Sequence, residues 1–521
     1  MSALTDAQHQ ARLALLQSRE RLSGGAHQRE GVLALLAHPA FALFDEVGCG
    51  KTKQIVDAAQ ILYTEGSLDT VLVVTVGYAR STWADPDPVL GEVAKHTWED
   101  LPSVISEYHK KADEIRWTPR ALNWVVTNYE FVRREDRLAY LLHTLRGRRT
   151  WLTLDEAWAV KGNSDQMKAC RTLRFKRAER ATILNGTPLS DGKPIDLYYP
   201  FYILDPAIIG VQNKTHFKAR YCVMGGFNNK QIIKYQNLDD LNRRIAPYVL
   251  SRRTRDYFDL PPVLPPVTLE ARLAPKTWGL YTSMRDDMVA WLNTQASVAA
   301  QAITKTLRLS QLTSGYLGGL EEMQVCPTCQ GVFAEDCETC HGDGVLAQSA
   351  VTTQEVGREK LDVFLRWLEA QETPPHKMLV LTRFIKERQR TATELTRFYP
   401  HVYQLPGPER QLAKAALAPG GNPESAVVVG NPRACGASLN FSAAHTVVYL
   451  SNGPALIERT QSMGRIERPG ATQPITVVDV MACGPAGQKT VDHLILKSLR
   501  QKQDMADWTV ETWRKLAGQE F

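Results

Sequence analysis

Asp45-Glu-Val-Gly-Cys-Gly-Lys-Thr52 stands between an apolar run, Phe41–Phe44 (FALF), and a helical pattern, Gln54–Tyr63. A glycine-rich loop between a strand and a helix turns its backbone N–H groups into a cup at the positive end of the helix, where a phosphate is held. On that reading Gly48 and Gly50 supply the turn, Lys51 reaches the β and γ phosphates of a nucleotide, and the Thr52 hydroxyl holds Mg2+. The leading glycine of the G-x-x-x-x-G-K-[ST] pattern is missing, because Phe44 or Asp45 occupies that area. The bland alternative is a tight glycine turn followed by a chance lysine.

Around the loop, short β-branched runs recur between helical patterns: Val71–Val76 (VLVVTV), Trp124–Thr127 (WVVT), Trp151–Leu154 (WLTL) and Thr182–Leu184 (TIL). A second set comes late: Lys377–Leu381, Ala426–Val429, Thr446–Leu450 and Ile475–Val480. Continuous apolar runs of this length suit parallel strands buried on both faces, so the chain is expected to be α/β with two parallel-sheet lobes, 23–205 and 358–521. An amphipathic helix is expected over 1–22 and a helical insertion over 206–258. Residues 259–267 (DLPPVLPPV) read as a stiff linker, since proline cannot continue a helix. A second helical insertion, 268–357, carries the cysteines in 325–344.

Candidate chemistry gathers after the strands. Trp151–Leu154 runs into Asp155-Glu156, where an aspartate can hold Mg2+ and a neighbouring glutamate can polarise the attacking water. Asn185-Gly-Thr-Pro188 follows the next strand. Upstream, in His27-Gln-Arg-Glu-Gly31, the Gln28 amide can read an adenine edge.

Taken in order, HQREGV, DEVGCGKT, VVTVGYARSTW, VVTNYE, LTLDEAWAVKG and LNGTPLSDG resemble the first lobe of a superfamily-two helicase, and most closely its Swi/Snf-type DNA-translocase branch. In the second lobe, Gly436-Ala-Ser-Leu-Asn440 resembles that branch's motif five and Gln461-Ser-Met-Gly-Arg-Ile-Glu-Arg468 its motif six, followed by a similar segment from Gly487. The resemblance covers about residues 25–500, the cysteine segment excepted. It implies two RecA-like lobes and an ATP-hydrolysing, DNA-dependent motor.

It further implies adenine contact at Gln28, phosphate binding at Gly48, Gly50, Lys51 and Thr52, and Mg2+ at Thr52 and Asp155. Glu156 becomes the water-orienting base, with help from Gln461, and Arg465 and Arg468 act on the γ-phosphate, where an arginine finger is worth ~10³–10⁵ in rate. DNA contacts are expected in Thr75 to Trp83, at Asn128-Tyr129 and at Asn440, each of which also reads as a turn residue or core aromatic. The chain departs from the pattern at Trp158, where the branch usually has histidine, at Asn185 for threonine, and at Glu467-Arg-Pro-Gly470 for a more basic stretch. Trp cannot titrate or accept a hydrogen bond, which puts the coupling of the lobes in doubt. These departures suggest a divergent, phage or bacterial member.

Cys326-Pro-Thr-Cys329 and Cys337-Glu-Thr-Cys340 form two C-x-x-C knuckles, a spacing that suits tetrahedral Zn2+ closed by four thiolates. Acidic neighbours such as Glu335, Asp336 and Asp343 argue against a phosphate grip, so docking of a protein or a purely structural role is expected there.

The composition is that of a globular chain, 44% apolar and 23% charged. A net charge of +6 over 521 residues says little by itself about nucleic acid. The local islands say more: Arg133-Arg134, Arg146-Gly-Arg148-Arg149, Arg174 to Arg180 and Arg252-Arg253-Thr-Arg255 each read as a solvated face or as a phosphate track. With no apolar run near the ~20 residues of a membrane helix and no secretory signal pattern, a cytoplasmic protein of a bacterial or phage-infected cell is expected, or a nuclear one in a eukaryote. The expected partner is DNA, duplex first, with forked or single-stranded DNA as variants. Two rival readings stay open: an RNA or single-strand unwinding helicase, and a nucleotide-gated binding module with weak hydrolysis.

Overall fold

The computed structural model describes residues 25–516 apart from 89, 111–113, 190, 227–230, 295–298, 318–322, 326–344, 348–352 and 437–438, together with 11, 12 and 14. Strands with no polar face must be covered on both sides, and the first sheet is made largely of such strands. Its members are β1 (Ala40–Leu43), β2 (Thr70–Thr75), β3 (Ser103–Glu107), β4 (Leu122–Asn128), β5 (Thr150–Leu154), β6 (Ala178–Leu184) and β7 (Val249–Leu250). They pair in the order β3-β4-β2-β5-β6-β1-β7, all parallel. β1, β2, β4 and β5 are buried at every position.

Parallel neighbours need crossovers, and helices provide them. From α1 (Ala26–Ala37) Val32 and Leu35, and from α2 (Lys51–Thr64) Ile55, Val56 and Ile61, enter one core with Val71, Val73, Trp124 and Trp151. α3 (Asp165–Arg177) starts at Ser164, whose side chain accepts from the Met167 N–H, and ends in Arg174, Lys176 and Arg177, the charge that its carbonyl end favours.

A second sheet holds β8 (Val267–Arg272), β9 (Lys377–Leu381), β10 (Val402–Leu405), β11 (Ala426–Gly430), β12 (Thr446–Tyr449) and β13 (Thr476–Cys483). Its order is β8-β13-β12-β9-β11-β10, again all parallel. Alternate residues supply two separate cores, Leu379, Leu381, Val428 and Val447 on one face and Met378, Val380, Val427 and Val448 on the other.

The chain divides into two units, 1–258 with 504–521, and 259–503. The segment expected as a helical insertion, 206–258, therefore belongs with the first sheet. It carries the helices Lys214–Tyr221 and Leu238–Ile245, a hairpin, Cys222–Gly225 with Gln231–Tyr235, and β7, which pairs Val249 with Ala42 and Leu250 with Leu43. The proline-rich stretch expected as a linker over 259–267 gives up its last residue, Val267, to β8. In the second unit a helix α4 covers Leu456–Met463, and the last helix, α5, runs from Val491 to Leu516.

Residues 504–516, expected in the second lobe, pack within the first unit instead. The Trp513 indole donates to Asn242 Oδ1 at 2.9 Å and its ring lies 5.8 Å from Phe44, while Arg514 pairs with Asp256 at 2.6 Å.

The N-terminal helix expected over 1–22 falls almost wholly outside the described residues, although Arg12 is seen pairing with Glu65 at 2.6 Å. Cys326, Cys329, Cys337 and Cys340 also lie outside them. The strands on either side, Met323–Val325 and Val345–Ala347, pair antiparallel. Among the described residues no helix is long and apolar enough to cross a membrane.

Candidate active site

β1 runs into the buried Asp45, and the chain then bends through Gly48 (φ 103°) and Gly50 (φ 74°) into α2, whose first residues are Lys51 and Thr52. Both glycines stand in the left-handed region, which other residues enter only with strain. A Cβ added to Gly50 would lie 2.1 Å from Gln28 Nε2, so Gln28 is pressed against the loop, and its amide donates to the Cys49 carbonyl at 3.3 Å. The Lys51 ammonium is turned over the loop, donating to the carbonyls of Asp45 (2.6 Å) and Glu46 (3.1 Å). A helix N-terminus with bare glycines and an inturned lysine fits the phosphates of a nucleotide. Burial, and then Asp45, push the Cys49 thiol up to about 11, so this loop cysteine is no nucleophile.

The other strand ends contribute from the same edge. After β6, Asn185 N–H donates to the Leu43 carbonyl at 3.3 Å, and a Cβ on Gly186 would lie 3.6 Å from Lys51 Nζ. The Asn185–Pro188 turn thus sits against the loop. At the end of β5, Asp155 is held by several donors. Its Oδ2 accepts from Thr75 Oγ1 (2.9 Å) and Trp83 Nε1 (2.8 Å), its Oδ1 from the Glu156 N–H (3.0 Å). The Tyr129 hydroxyl donates to its carbonyl at 2.8 Å. Glu156 itself adopts φ 52°, unusual for a residue with a side chain.

These contacts correct the expected DNA contacts at Thr75, Trp83, Asn128 and Tyr129. Thr75, Trp83 and Tyr129 are buried partners of Asp155, and burial raises the Tyr129 phenol well above its ordinary value. Asn128 is buried as well, accepting the Phe131 N–H to cap the turn Tyr129–Val132. Asn440, in the second unit, is half-buried and accepts the Ser442 N–H at 3.2 Å.

Among the basic islands Arg252 is corrected in the same way, whereas Arg133, Arg134, Arg146 and Arg149 are exposed. Arg252 is 1% exposed and forks onto Asp45 through Nε (2.9 Å) and Nη2 (2.5 Å), with Nη2 also on Gln54 Oε1 (2.7 Å) and Nη1 on the His27 carbonyl. Two residues on, the Thr254 N–H donates to Glu46 Oε2 and its hydroxyl to the Val47 carbonyl. The segment Arg252–Thr254 therefore underlies the phosphate loop from more than 200 positions away, with no local signal in its own sequence. Arg174 donates to the carbonyl of Leu204, Arg177 to that of Leu142 and Arg180 to those of Leu35, Leu36 and His38. The Arg148 guanidinium lies 3.6 Å from the Trp117 ring centroid. A cavity of about 700 Å³ among Leu101, Arg120, Arg148 and Arg149 opens between the loops that precede the strands, at the edge opposite the motifs.

Gln461, Arg465 and Arg468 belong to the second unit. Gln461 is buried on α4. Arg468 Nη1 donates to the Leu439 carbonyl at 3.2 Å, and the Arg465 carbonyl accepts the Phe441 N–H at 2.9 Å. The segments resembling motifs five and six are thereby tied together. On the same helix Arg459 pairs with Asp479 at 2.7 and 2.8 Å over the Tyr449 ring.

A loop, an Asp-Glu pair and a threonine turn lined along the carboxyl edge of one parallel sheet define an ATPase lobe of the superfamily-two type. Comparison with known families agrees: residues 27–314 match the SNF2-related domain, more than half of the chain, and the protein belongs to that family. It is similar to the chromatin remodeling factor mit1 of Schizosaccharomyces pombe, 22% identical over 492 residues. That match takes in 90% of this chain, which spans 32% of the relative's length. Two solved structures are also similar at 17% identity, the Sulfolobus solfataricus SWI2/SNF2 ATPase core with dsDNA (TM-score 0.39) and the same core alone (0.36). The first covers 94% of this chain and 96% of its own, the second 94% and 93%.

Proposed function

We propose that this protein is a DNA-dependent ATPase that moves along duplex DNA and thereby remodels DNA structures or displaces bound proteins. The observation that carries the reading is the gathering of Lys51, Asp155 and Glu156 at one sheet edge in a chain of the SNF2-related family. The name of the relative, a chromatin remodeling factor, fits a motor that works on protein-bound DNA.

In this reading Gln28 contacts the base, and Gly48, Gly50 and Lys51 hold the phosphates. Glu156 takes a proton from the attacking water as its oxygen bonds the γ-phosphorus and the bond to the bridging oxygen breaks, leaving ADP and phosphate. Gln461 helps to orient that water, and Arg465 and Arg468 offset charge on the transferred group. Mg2+, which Thr52 and Asp155 would hold, neutralises phosphate charge when bound. The donors around Asp155 support that role by fixing the direction in which its carboxylate points.

Cys326, Cys329, Cys337 and Cys340 are proposed to bind Zn2+ as a structural site. The C-x-x-C spacing of these four cysteines in the sequence supports this reading, and a protein partner is the ligand its acidic neighbours in the sequence favour.

Phosphate release measured with duplex, forked and single-stranded DNA and with RNA tests the proposal. Stimulation by duplex DNA that Lys51→Ala abolishes is expected. Turnover indifferent to DNA, or stimulated by RNA alone, would overturn it.

A further inference from the structure

Two indoles stand at the Asp-Glu pair, and each serves one carboxylate. Trp83, on the short helix Arg80–Ala84, donates to Asp155. Trp158 donates through Nε1 to Glu156 Oε2 at 2.7 Å, a short, charge-assisted hydrogen bond. Local backbone geometry makes the second contact possible. Glu156 takes up a left-handed conformation, and Ala157–Val160 follows as a single 3₁₀ turn closed by the Ala159 N–H on the Glu156 carbonyl at 3.0 Å. Ala157 and Val160 are buried, at 1% and 0% exposure, and fix that turn to the core. The indole two residues after the glutamate is thereby brought back over its carboxylate.

We infer that Trp158 is a positioning residue for hydrolysis: its indole N–H fixes the carboxylate of Glu156 in the direction from which it orients the attacking water. The inference rests on the reading of Glu156 as the water-orienting base and extends it to the residue where the sequence departs from the motif pattern it resembles. An indole is a donor only and does not titrate in the working pH range. It can hold a carboxylate oxygen but cannot relay a proton or accept a bond from another motif. A histidine at this place could do either. The position is thus committed to aiming the base rather than to passing a signal onward, and the left-handed backbone at Glu156 is the strained element that the contact supports.

Trp158→Phe removes the donor and keeps most of the apolar body, while Trp158→His returns an N–H to the position. Three quantities are read for each: the equilibrium affinity for ATP with Mg2+, the melting temperature, and kcat and KM with duplex DNA. Trp158→Phe is expected to lose about 10-fold in kcat, as the loss of one hydrogen bond to a charged group predicts. Its ATP affinity, KM and melting temperature should stay within about twofold or a few degrees of the parent, and Trp158→His should recover part of kcat.

In a Glu156→Gln background Trp158→Phe should change nothing further. Wild-type kcat in Trp158→Phe while Glu156→Gln is inactive overturns the positioning role alone. So does a parallel loss of kcat and ATP affinity that Trp158→His fails to restore. Full turnover in Glu156→Gln removes the base itself and the inference with it.

Discussion

Arg252→Leu is the most searching perturbation of the first unit. The guanidinium is 1% exposed and its partner Asp45 is fully buried. The substitution strips Asp45 of both arms of the fork and removes donors from Gln54 Oε1 and the His27 carbonyl. Breaking a buried pair by removing one partner leaves an uncompensated charge and is destabilising by about 3–5 kcal/mol. Spread over a unit of this size, that is a fall in melting temperature of roughly 6–15 °C. Calorimetry of the full chain reads it.

Much of the loss comes from the abandoned carboxylate, so adding Asp45→Asn to Arg252→Leu should recover part of it. A shift in Arg252→Leu under about 2 °C would mean the pair is stabilising only weakly. A double variant less stable than Arg252→Leu would refute the reasoning from buried charge. ATP affinity should fall along with stability, because the same residues shape the loop that ends in Lys51.

Thr75→Val and Trp83→Phe each remove a donor from Asp155 Oδ2, and each should raise the Mg2+ concentration for half-maximal phosphate release by roughly 10-fold; an unchanged Mg2+ titration would count against the proposed metal role of Asp155. Burial, and secondarily Arg252, hold the His27 imidazole below its ordinary value of 6.5. The unfolded chain therefore takes up that proton first, and stability is lost as the pH falls below about 6.5 towards the folded value. Melting temperatures of the parent should fall more steeply over that range than those of His27→Gln, and equal slopes would contradict the assignment. Metal analysis of the purified protein should find about one zinc per chain, lost in Cys326→Ser and Cys340→Ser, and a metal-free parent would end the zinc proposal.

Strands buried on both faces announce themselves as unbroken apolar runs, which is why β1, β2, β4, β5 and the centre of the second sheet were legible from composition alone. The strands that escaped are those without such runs. β3 (SVISE) and β10 (VYQL) stand at sheet edges and are only half-buried along most of their length. β8 alternates with charges and follows four prolines, and β7 is two residues long. The site divides in a similar way. Lys51, Asp155 and Glu156 sit in local patterns that a reader can recognise. The support for them is non-local, with Thr75 and Trp83 80 and 72 positions from Asp155, and Arg252 207 from Asp45. Tyr129 and Trp83 looked like nucleic-acid contacts because aromatic and polar residues next to strand ends serve either purpose. Only burial decides between the two.

β7 has a consequence for the order in which the lobe is completed during synthesis. A nascent chain that has emerged as far as Ile245 already contains the phosphate loop, the Asp-Glu pair and the Asn185–Pro188 turn. It still lacks the strand that closes β1 and the counter-ion that Asp45 needs inside the core. Nucleotide competence is therefore expected no earlier than Val249–Thr254, some sixty residues after the last recognisable first-lobe motif has left the ribosome. A nascent chain paused just short of Val249 should leave that lobe unable to retain ATP, and release of the next few residues should switch it on.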